Sequence, residues 1–424
     1  MPFSILSFFC IAALSVFAPL LHAADSLSLD AAMRIAVERS QQVTALQAQS
    51  RSAHEMSVAA GQLPDPVLKF GLNNYPVTRD EAFSLVREGM TMRSVGVMQE
   101  LTRSDKREAR ALRAEREADA GTAAARQSEA ATRRDAALAW FEVSYLETMR
   151  ALLARQIDEA ELQVQASDTA FRSARGGQAD IYAARTVVER LRDQLTQMDR
   201  DIALARVQLE RWIGEAAQQP LATRPDISQF SVSTRNAANH PVLDMADRQL
   251  ALAEADAEVA RRNRRSDWSV ELMYGQRGPA FANVVSINFS VPLQWDRSQR
   301  QDRELAAKLA QVEQARALKE DAVRALNADA RSAYASWQAA VQRMTRYEKS
   351  LLPLAENRMQ AELTAFGNGI GSLGAVLEAR RMAVDVRMER ERVALDAARA
   401  WVQLEYLNDN SSFPRRREPS GFAE

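Results

Sequence analysis

The sequence predicts a mainly α fold with a small antiparallel β part, in which long coiled-coil helical hairpins carry two β-hairpins. Three observations predict it. Only 15 Gly and 13 Pro punctuate 424 residues, which favours long uninterrupted helices. Residues 105–170 contain no proline and one glycine, Gly121, so a straight helix there would run about 100 Å at about 1.5 Å per residue. Between residues 267 and 293 the period drops to two. Trp268, Val270, Leu272 and Tyr274 alternate with Ser269, Glu271 and Met273; a turn with Gly278 and Pro279 follows; then Val285, Ile287, Phe289 and Val291 alternate with Ser286, Asn288 and Ser290. Each arm is long enough to cross a membrane as a tilted strand. An apolar face with so few strands nearby needs other chains or lipid.

In chain order, residues 1–23 read as a secretory signal peptide. Residues 5–21 are apolar and Leu21-His22-Ala23 precedes Ala24-Asp25 as a cleavage site, although no Lys or Arg leads the run. Cys10 is the single cysteine, so cleavage would leave neither a disulfide nor a thiolate metal site. Charge is nearly balanced, 55 Lys+Arg against 56 Asp+Glu, which gives nucleic acid no basic surface. No internal run reaches 18 apolar residues, so no helical membrane span is expected.

A first repeat occupies residues 24–230. Residues 28–62 read as one helix, with Ser28 or Asp30 as cap and Ile35, Val43 and Leu46 on its apolar side, stopped by Leu63-Pro64-Asp65-Pro66. A β-hairpin over 67–100 follows: Leu68, Phe70 and Leu72 alternate with Val67, Lys69 and Gly71, and after a polar loop Val95 and Val97 alternate with Ser94, Gly96 and Met98. A helical hairpin over 105–213 begins with Leu138, Phe141, Tyr145, Met149 and Leu152 at steps of three and four, and breaks at Gly176-Gly177. It returns on Val188, Leu191, Leu195, Met198, Ile202, Ala205, Leu209 and Trp212, a heptad seam that predicts left-handed supercoiling. An irregular equatorial segment closes the repeat.

The second repeat, residues 231–408, restates this order: helix, β-hairpin 268–291, and helical hairpin 297–407 with one helix expected over 297–365 before a Gly-rich break. Phe171 and Arg185 recur 195 residues later as Phe366 and Arg380. The seam recurs as Ala383, Val386, Arg390, Val393, Ala397, Ala400, Leu404 and Leu407, with Arg390 its one polar member. Asp65 and Asp267 are 202 apart and Leu101 and Leu293 are 192 apart, the difference being a longer loop in the first hairpin. Residues 409–424, with Pro414, Arg415, Arg416, Arg417 and Pro419, read as a disordered tail.

This repeat order, the Leu63-Pro64-Asp65-Pro66 entry to the first strand, and the paired turns over 171–177 and 366–372 resemble the TolC-like outer-membrane efflux factor family, over about residues 27–407. The family carries an aromatic-x-x-Gly pattern at these turns; Gly369 fits it and Ala174 departs from it. The resemblance implies a homotrimer in outer-membrane lipid. Four transmembrane strands per chain would contribute to a 12-stranded β-barrel, and the helical hairpins would form an α-barrel across the periplasm. Physics reaches part of this alone, because four strands are too few to close and an open edge is not tolerated in lipid. Eight or twelve strands both satisfy that rule; the resemblance chooses twelve. It also implies an exit duct of a tripartite RND-type efflux pump, working with a periplasmic membrane-fusion adaptor and an inner-membrane RND transporter, without cofactor or catalysis. Gly61-Gln62-Leu63-Pro64-Asp65-Pro66, Met90-Thr91-Met92 and Val95-Gly96-Val97-Met98-Gln99-Glu100 resemble the heavy-metal branch, which implies heavy-metal cations as cargo. A multidrug or type I secretion duct is the alternative within this fold, and a periplasmic coiled-coil scaffold or adaptor the alternative outside it.

No enzyme signature appears. His54-Glu55 opens like a zinc-protease helix but lacks the second His, no nucleophile elbow or phosphate-cradling glycine loop is present, and His240-Pro241 reads as a helix start. The turns are better candidates. In the family the equivalent turns lie at the periplasmic mouth, where a ring of carboxylates narrows the channel. Asp180 matches the acidic position of the first turn; in the second, Ala375 holds the first acidic position and Glu378 the next. Threefold symmetry would place three copies of each around the axis, whereas the plainer reading makes Asp180 a helix cap and Glu378 a solvated carboxylate. Arg175, Gly176, Gly177, Gly369, Gly371 and Ser372 would form tips facing the adaptor, or simply make the turns. Met90, Met92 and Met98 are candidate thioether ligands for Cu(I) or Ag(I), or packing residues.

Overall fold

A computed structural model describes residues 26–174, 176–230 and 240–408. The expected signal peptide and tail lie outside the described residues. Alternating apolar and polar residues produce four strands, β1 (Val67–Asn73), β2 (Met92–Leu101), β3 (Trp268–Gln276) and β4 (Val284–Ser290). They form one antiparallel sheet in the order β1-β2-β3-β4, so β1 and β4 are open edges. Directly opposed residues share a face. Leu68, Val97, Leu272 and Ile287 therefore make one row across the sheet, and Phe70, Val95, Tyr274 and Val285 the next. Lys69, Gly96, Met273 and Ser286 make a row on the opposite face, where Lys69 Nζ reaches Glu271 Oε2 at 2.8 Å. Among the described residues nothing covers the apolar face: Phe70 is 83% exposed, Phe289 66% and Ile287 59%. The two hairpins share a register, since Leu68↔Val97 becomes Val270↔Phe289 on adding 202 and 192.

The helix expected over 28–62 is two helices, α1 (Leu29–Arg39) and α2 (Gln41–Ala60). Ser40 breaks it by ending one and capping the other, its Oγ accepting the Val43 N–H at 3.3 Å, so its side chain replaces helical backbone bonding. Helix α3 (Ser104–Arg172) runs 69 residues, about 100 Å. It turns into α4 (Gln178–Ile213), and α5 (Pro241–Arg262) opens the second half with His240 as its cap. The single helix expected over 297–365 is also corrected. Helix α6 (Gln301–Arg346) starts four residues later and ends in a π turn, Tyr347–Leu351, before α7 (Leu352–Gly367). Pro353 is the physical reason: it brings no N–H, and its ring excludes the carbonyl four residues back, so the ladder widens just upstream. Helix α8 (Leu373–Leu407) returns along α7.

Packing follows the strands. Below the sheet the helices lie in the order α2, α3, α5, α6, each continuing its own strand. Farther from the sheet α4 lies beside α3 in place of α2, and α8 packs between α3 and the α6–α7 rod. Every residue of both expected seams is buried or half-buried.

The densest core lies at this exchange of partners. Trp140, Phe141, Leu209, Ile213 and Val402 are fully or almost fully buried, and Phe141 meets Trp401 edge-on at 6.2 Å between ring centroids. An extended strap after α4 crosses here. Leu27 pairs with Leu221, and the Trp140 indole N–H donates to the Leu27 carbonyl at 3.0 Å. The Trp337 indole N–H donates to the Ile227 carbonyl at 2.9 Å. Arg224, on the strap, stacks 4.0 Å over the Tyr145 ring and reaches Glu391 Oε2 at 3.3 Å.

Trp140 offers a test of this core. Trp140→Phe removes one of two donors to the Leu27 carbonyl, which keeps the Ala222 N–H at 3.0 Å, and should cost about 0.5–1.5 kcal/mol, whereas Trp140→Ala also opens a cavity and should cost about 3–5 kcal/mol. Thermal melting followed by circular dichroism at the helical band should rank alanine below phenylalanine below the parent protein.

Candidate functional site

The two helical tips are built on one template with different residues. At the first, Ala174 adopts φ +56°; at the second, 195 residues on, Gly369 adopts φ +76°. Both turns close back on the preceding helix, Ser173 N–H to the Thr169 carbonyl at 3.1 Å and Asn368 N–H to the Thr364 carbonyl at 3.0 Å. The left-handed conformation suits glycine but costs a side-chain-bearing residue about 1–2 kcal/mol. The departure of Ala174 from aromatic-x-x-Gly is therefore a departure in sequence only, since the backbone keeps the glycine geometry. Gly371 is needed for contact, because a Cβ there would lie 2.8 Å from the Phe366 nitrogen. Arg175 lies outside the described residues.

The caps are exchanged between the two tips. Asp180 Oδ2 accepts the Gly177 N–H at 2.9 Å, reaching back from the third position of α4. In the second tip Ser372 stands in place of Gly177 and Ala375 in place of Asp180; here Ser372 Oγ accepts the Ala375 N–H at 3.1 Å. Each return helix thus has one side-chain cap, placed at opposite ends of the same first turn. Asp180 acts as a cap on the Gly177 N–H, and in the second tip, where Ala375 has no carboxylate, Ser372 caps the Ala375 N–H instead. Glu378 is not the counterpart of Asp180. It is exposed, one turn farther along α8.

Glu378 lies on a groove of about 810 Å³ between α4 and α8 that also presents Gln156, Gln194, Arg381 and Asp385. Partial enclosure in the groove raises the Asp385 carboxyl from its ordinary value; the Arg381 guanidinium, 3.7 Å away, opposes the rise and the Glu378 charge adds to it.

The candidate methionines do not converge. Met90 is exposed in the β1–β2 loop, while Met92 and Met98 stand six residues apart on β2, about 20 Å at strand rise, too far to share an ion. Among the described residues no group of three His, Asp or Glu side chains is arranged to hold a metal. His240 serves as a cap, its Nδ1 accepting the Val242 N–H at 3.3 Å.

At the far end of the sheet the β1–β2 loop, read in sequence as merely polar, closes over the tip of the second hairpin. Tyr75 donates its hydroxyl to the Phe83 carbonyl at 2.9 Å, and Gly278 admits Val86, whose carbonyl oxygen would lie 2.2 Å from any Cβ there. The exposed aromatic residues Trp268 and Trp295 stand at the helical end of the sheet, with Tyr274 and Phe281 at the loop end. Among the described residues no helix is long and apolar enough to cross a membrane.

The sequence matches no family model and no curated protein. Solved structures do match. One is CusC, described in connection with transmembrane channel formation, at 12% identity over 91% of this chain and 92% of that chain, TM-score 0.77. Another is the CmeC outer membrane channel of Campylobacter jejuni, at 10% identity over 90% and 85%, TM-score 0.76. A third is the open state of the MtrE outer membrane channel of Neisseria gonorrhoeae, at 17% identity over 90% and 88%, TM-score 0.71. At these identities the likeness is one of fold, and it spans nearly the whole of both chains.

Two tests follow from the tips. Ala174→Gly should relieve, and Gly369→Ala impose, about 1 kcal/mol of local strain, read as slower and faster amide exchange respectively in the flanking helical turns. Asp385, with its folded carboxyl raised, favours folding below the unfolded carboxylate range near pH ~4, and that contribution is lost as pH rises through the raised value. Asp385→Asn should therefore flatten the pH dependence of α8 exchange protection between mild acid and neutrality.

Proposed function

We propose that this chain is the outer-membrane duct of a tripartite efflux pump, a passive trimer that passes cargo through its own bore and carries out no chemistry. One observation carries the reading: a four-stranded sheet with an uncovered apolar face and two unpaired edges stands on helices about 100 Å long. Such a face needs hydrocarbon, and such edges need other strands. Three copies would supply twelve strands, with the Lys69–Glu271 face lining a wet lumen and Trp268, Trp295, Tyr274 and Phe281 at the two lipid interfaces. The likeness to CusC, CmeC and MtrE supports the same reading. A periplasmic scaffold would have no use for that face.

The helices would then form a tube in the periplasm with the tips at its inner end. Gly176, Gly177, Gly369, Gly371 and Ser372, with Arg175, would meet a membrane-fusion adaptor, and that adaptor an inner-membrane RND transporter. Three copies of Asp180 and Glu378 would ring the mouth and attract cations. Heavy-metal cations are the cargo implied by the resemblance of residues 61–66 and 90–100 to the metal branch. A wide bore needs no ligand of its own for them, in keeping with methionines that do not converge. Loss of the gene should then sensitise cells to Cu, Zn, Co or Cd salts; sensitivity to dyes and detergents alone would point to a multidrug duct.

The face assignment is tested by depth. Ile287→Arg and Phe289→Arg should each cost assembly about 2–4 kcal/mol, while Ser286→Arg and Asn288→Arg, on the lumen face, should be tolerated. Heat-resistant trimers in outer-membrane fractions are the readout, and equal damage on both faces would favour a buried water-soluble sheet. Asp180→Asn with Glu378→Gln should lower cation selectivity in planar bilayers while trimers persist; unchanged selectivity would leave these carboxylates out of the pore.

A further inference from the structure

The trimeric reading already sets β4 of one copy beside β1 of the next; we propose the contact by which they join, with Phe289 facing Phe70 and Arg303 of one copy in an ion pair with Asp65 of the next. The proposal rests on the trimeric reading and deepens it by naming the contact.

The internal joint is explicit. β2 pairs with β3 so that Val97 faces Leu272 and Leu101 faces Trp268. Directly beneath, Lys106 is buried at 4% exposure with its Nζ 2.7 Å from Asp267 Oδ2, and Asp267 Oδ1 accepts the Arg103 N–H at 3.2 Å. A lysine so enclosed is tolerable only because its partner is fixed beside it. The pair therefore locks the first helix after one hairpin to the first residue of the next.

The halves correspond residue by residue at this place in spacing and register. Strands that leave the first helix correspond at a spacing of 202, and strands that return correspond at 192, as the shared hairpin register shows. α3 and α6 correspond at 197. Their first turns carry Asp105 and Asp302, and Trp140 and Trp337 each donate an indole N–H to a carbonyl of an extended segment, Leu27 and Ile227 respectively. Applied to the internal joint, these spacings turn Val97↔Leu272 into Phe289↔Phe70. They turn Lys106–Asp267 into Arg303–Asp65.

The transferred register is consistent with the chemistry of both edges. It places Ile287 opposite Leu72 on the apolar face, and Asn288 opposite Gly71 with Ser290 opposite Lys69 on the polar one. A slip of one residue would set Phe289 against Lys69 or Gly71 and turn one edge inside out. Asp65 and Arg303 are both exposed, and among the described residues neither has an ion-pair partner. Their opposite charges lie on opposite edges of the chain, where only a second copy brings them together.

Disulfide trapping in the full-length chain in membranes tests the joint, in a Cys10→Ser background that removes the single native cysteine. Phe70→Cys with Phe289→Cys should oxidise to covalent dimers and trimers, because directly opposed Cα atoms lie about 4.5–5.5 Å apart, within disulfide range. Leu68→Cys with Phe289→Cys, two residues out of register, should not. Separately, Asp65→Arg and Arg303→Asp should each reduce heat-resistant oligomer about tenfold or more, and the double exchange should restore it. Oligomers that cross-link only at another register, or that the double exchange fails to restore, would overturn this joint and leave the duct reading standing. A parent protein that forms no oligomer in membranes would overturn the duct reading and the joint with it.

Discussion

An unpaired backbone N–H or carbonyl is costly wherever water is excluded, and in the proposed duct that constraint governs the architecture of this chain. Its four strands satisfy one another internally and leave two rows of unmet groups at β1 and β4. Apolar side chains face outward in unbroken rows across all four strands, so the sheet is neither covered by its own helices nor paired with a second sheet. The remainder of the chain is arranged beneath it. α2, α3, α5 and α6 each continue a strand, and their order copies the strand order until the equator, where partners change. The largest buried aromatic side chains gather at that change, where the Trp140 and Trp337 indoles donate to the Leu27 and Ile227 carbonyls.

Much of this was legible in the sequence, because two periods carry it. Alternation of Trp268, Val270, Leu272 and Tyr274 against polar neighbours predicts both strand and face, and the seam from Val188 to Trp212 predicts which side of α4 is buried. The helix breaks were not legible for the same reason that helices tolerate exceptions. Ser40 has ordinary helix propensity, and only its backbone angles reveal that it caps instead of continuing. Pro353 reads equally well as the first turn of a new helix or as a kink. Strand order across the two halves was hidden too, since each hairpin is local in sequence whereas the β2–β3 pairing joins residues far apart.

The turns that carry the candidate residues were legible in outline, and their local geometry was not. Spacing identified the tips, and the aromatic-x-x-Gly pattern pointed to Gly369. It passed over Ala174, which holds the same left-handed geometry without a glycine. The cap exchange was within reach of the sequence, because Gly177 and Asp180 align with Ser372 and Ala375, and each pair holds one capping side chain, at the third position in the first and at the cap position in the second. The fold of the long first loop over Gly278 was not, since nothing in its polar composition marks Val86 as a residue that must be accommodated.

The π turn at Tyr347–Leu351 has a consequence for phase. Each residue added to a helical turn rotates everything downstream by about 100° around the axis. α7 therefore does not present the same generatrix of the rod as α6 would if extended. The rod lies against α5 near the sheet and against α8 at the tips, and a single continuous stripe would have to wind around the cylinder to serve both. One surplus residue resets the stripe in place. That is why the second half needs two apolar phases along one rod, where the unbroken α3 spreads small alanines around its surface to receive neighbours on several sides.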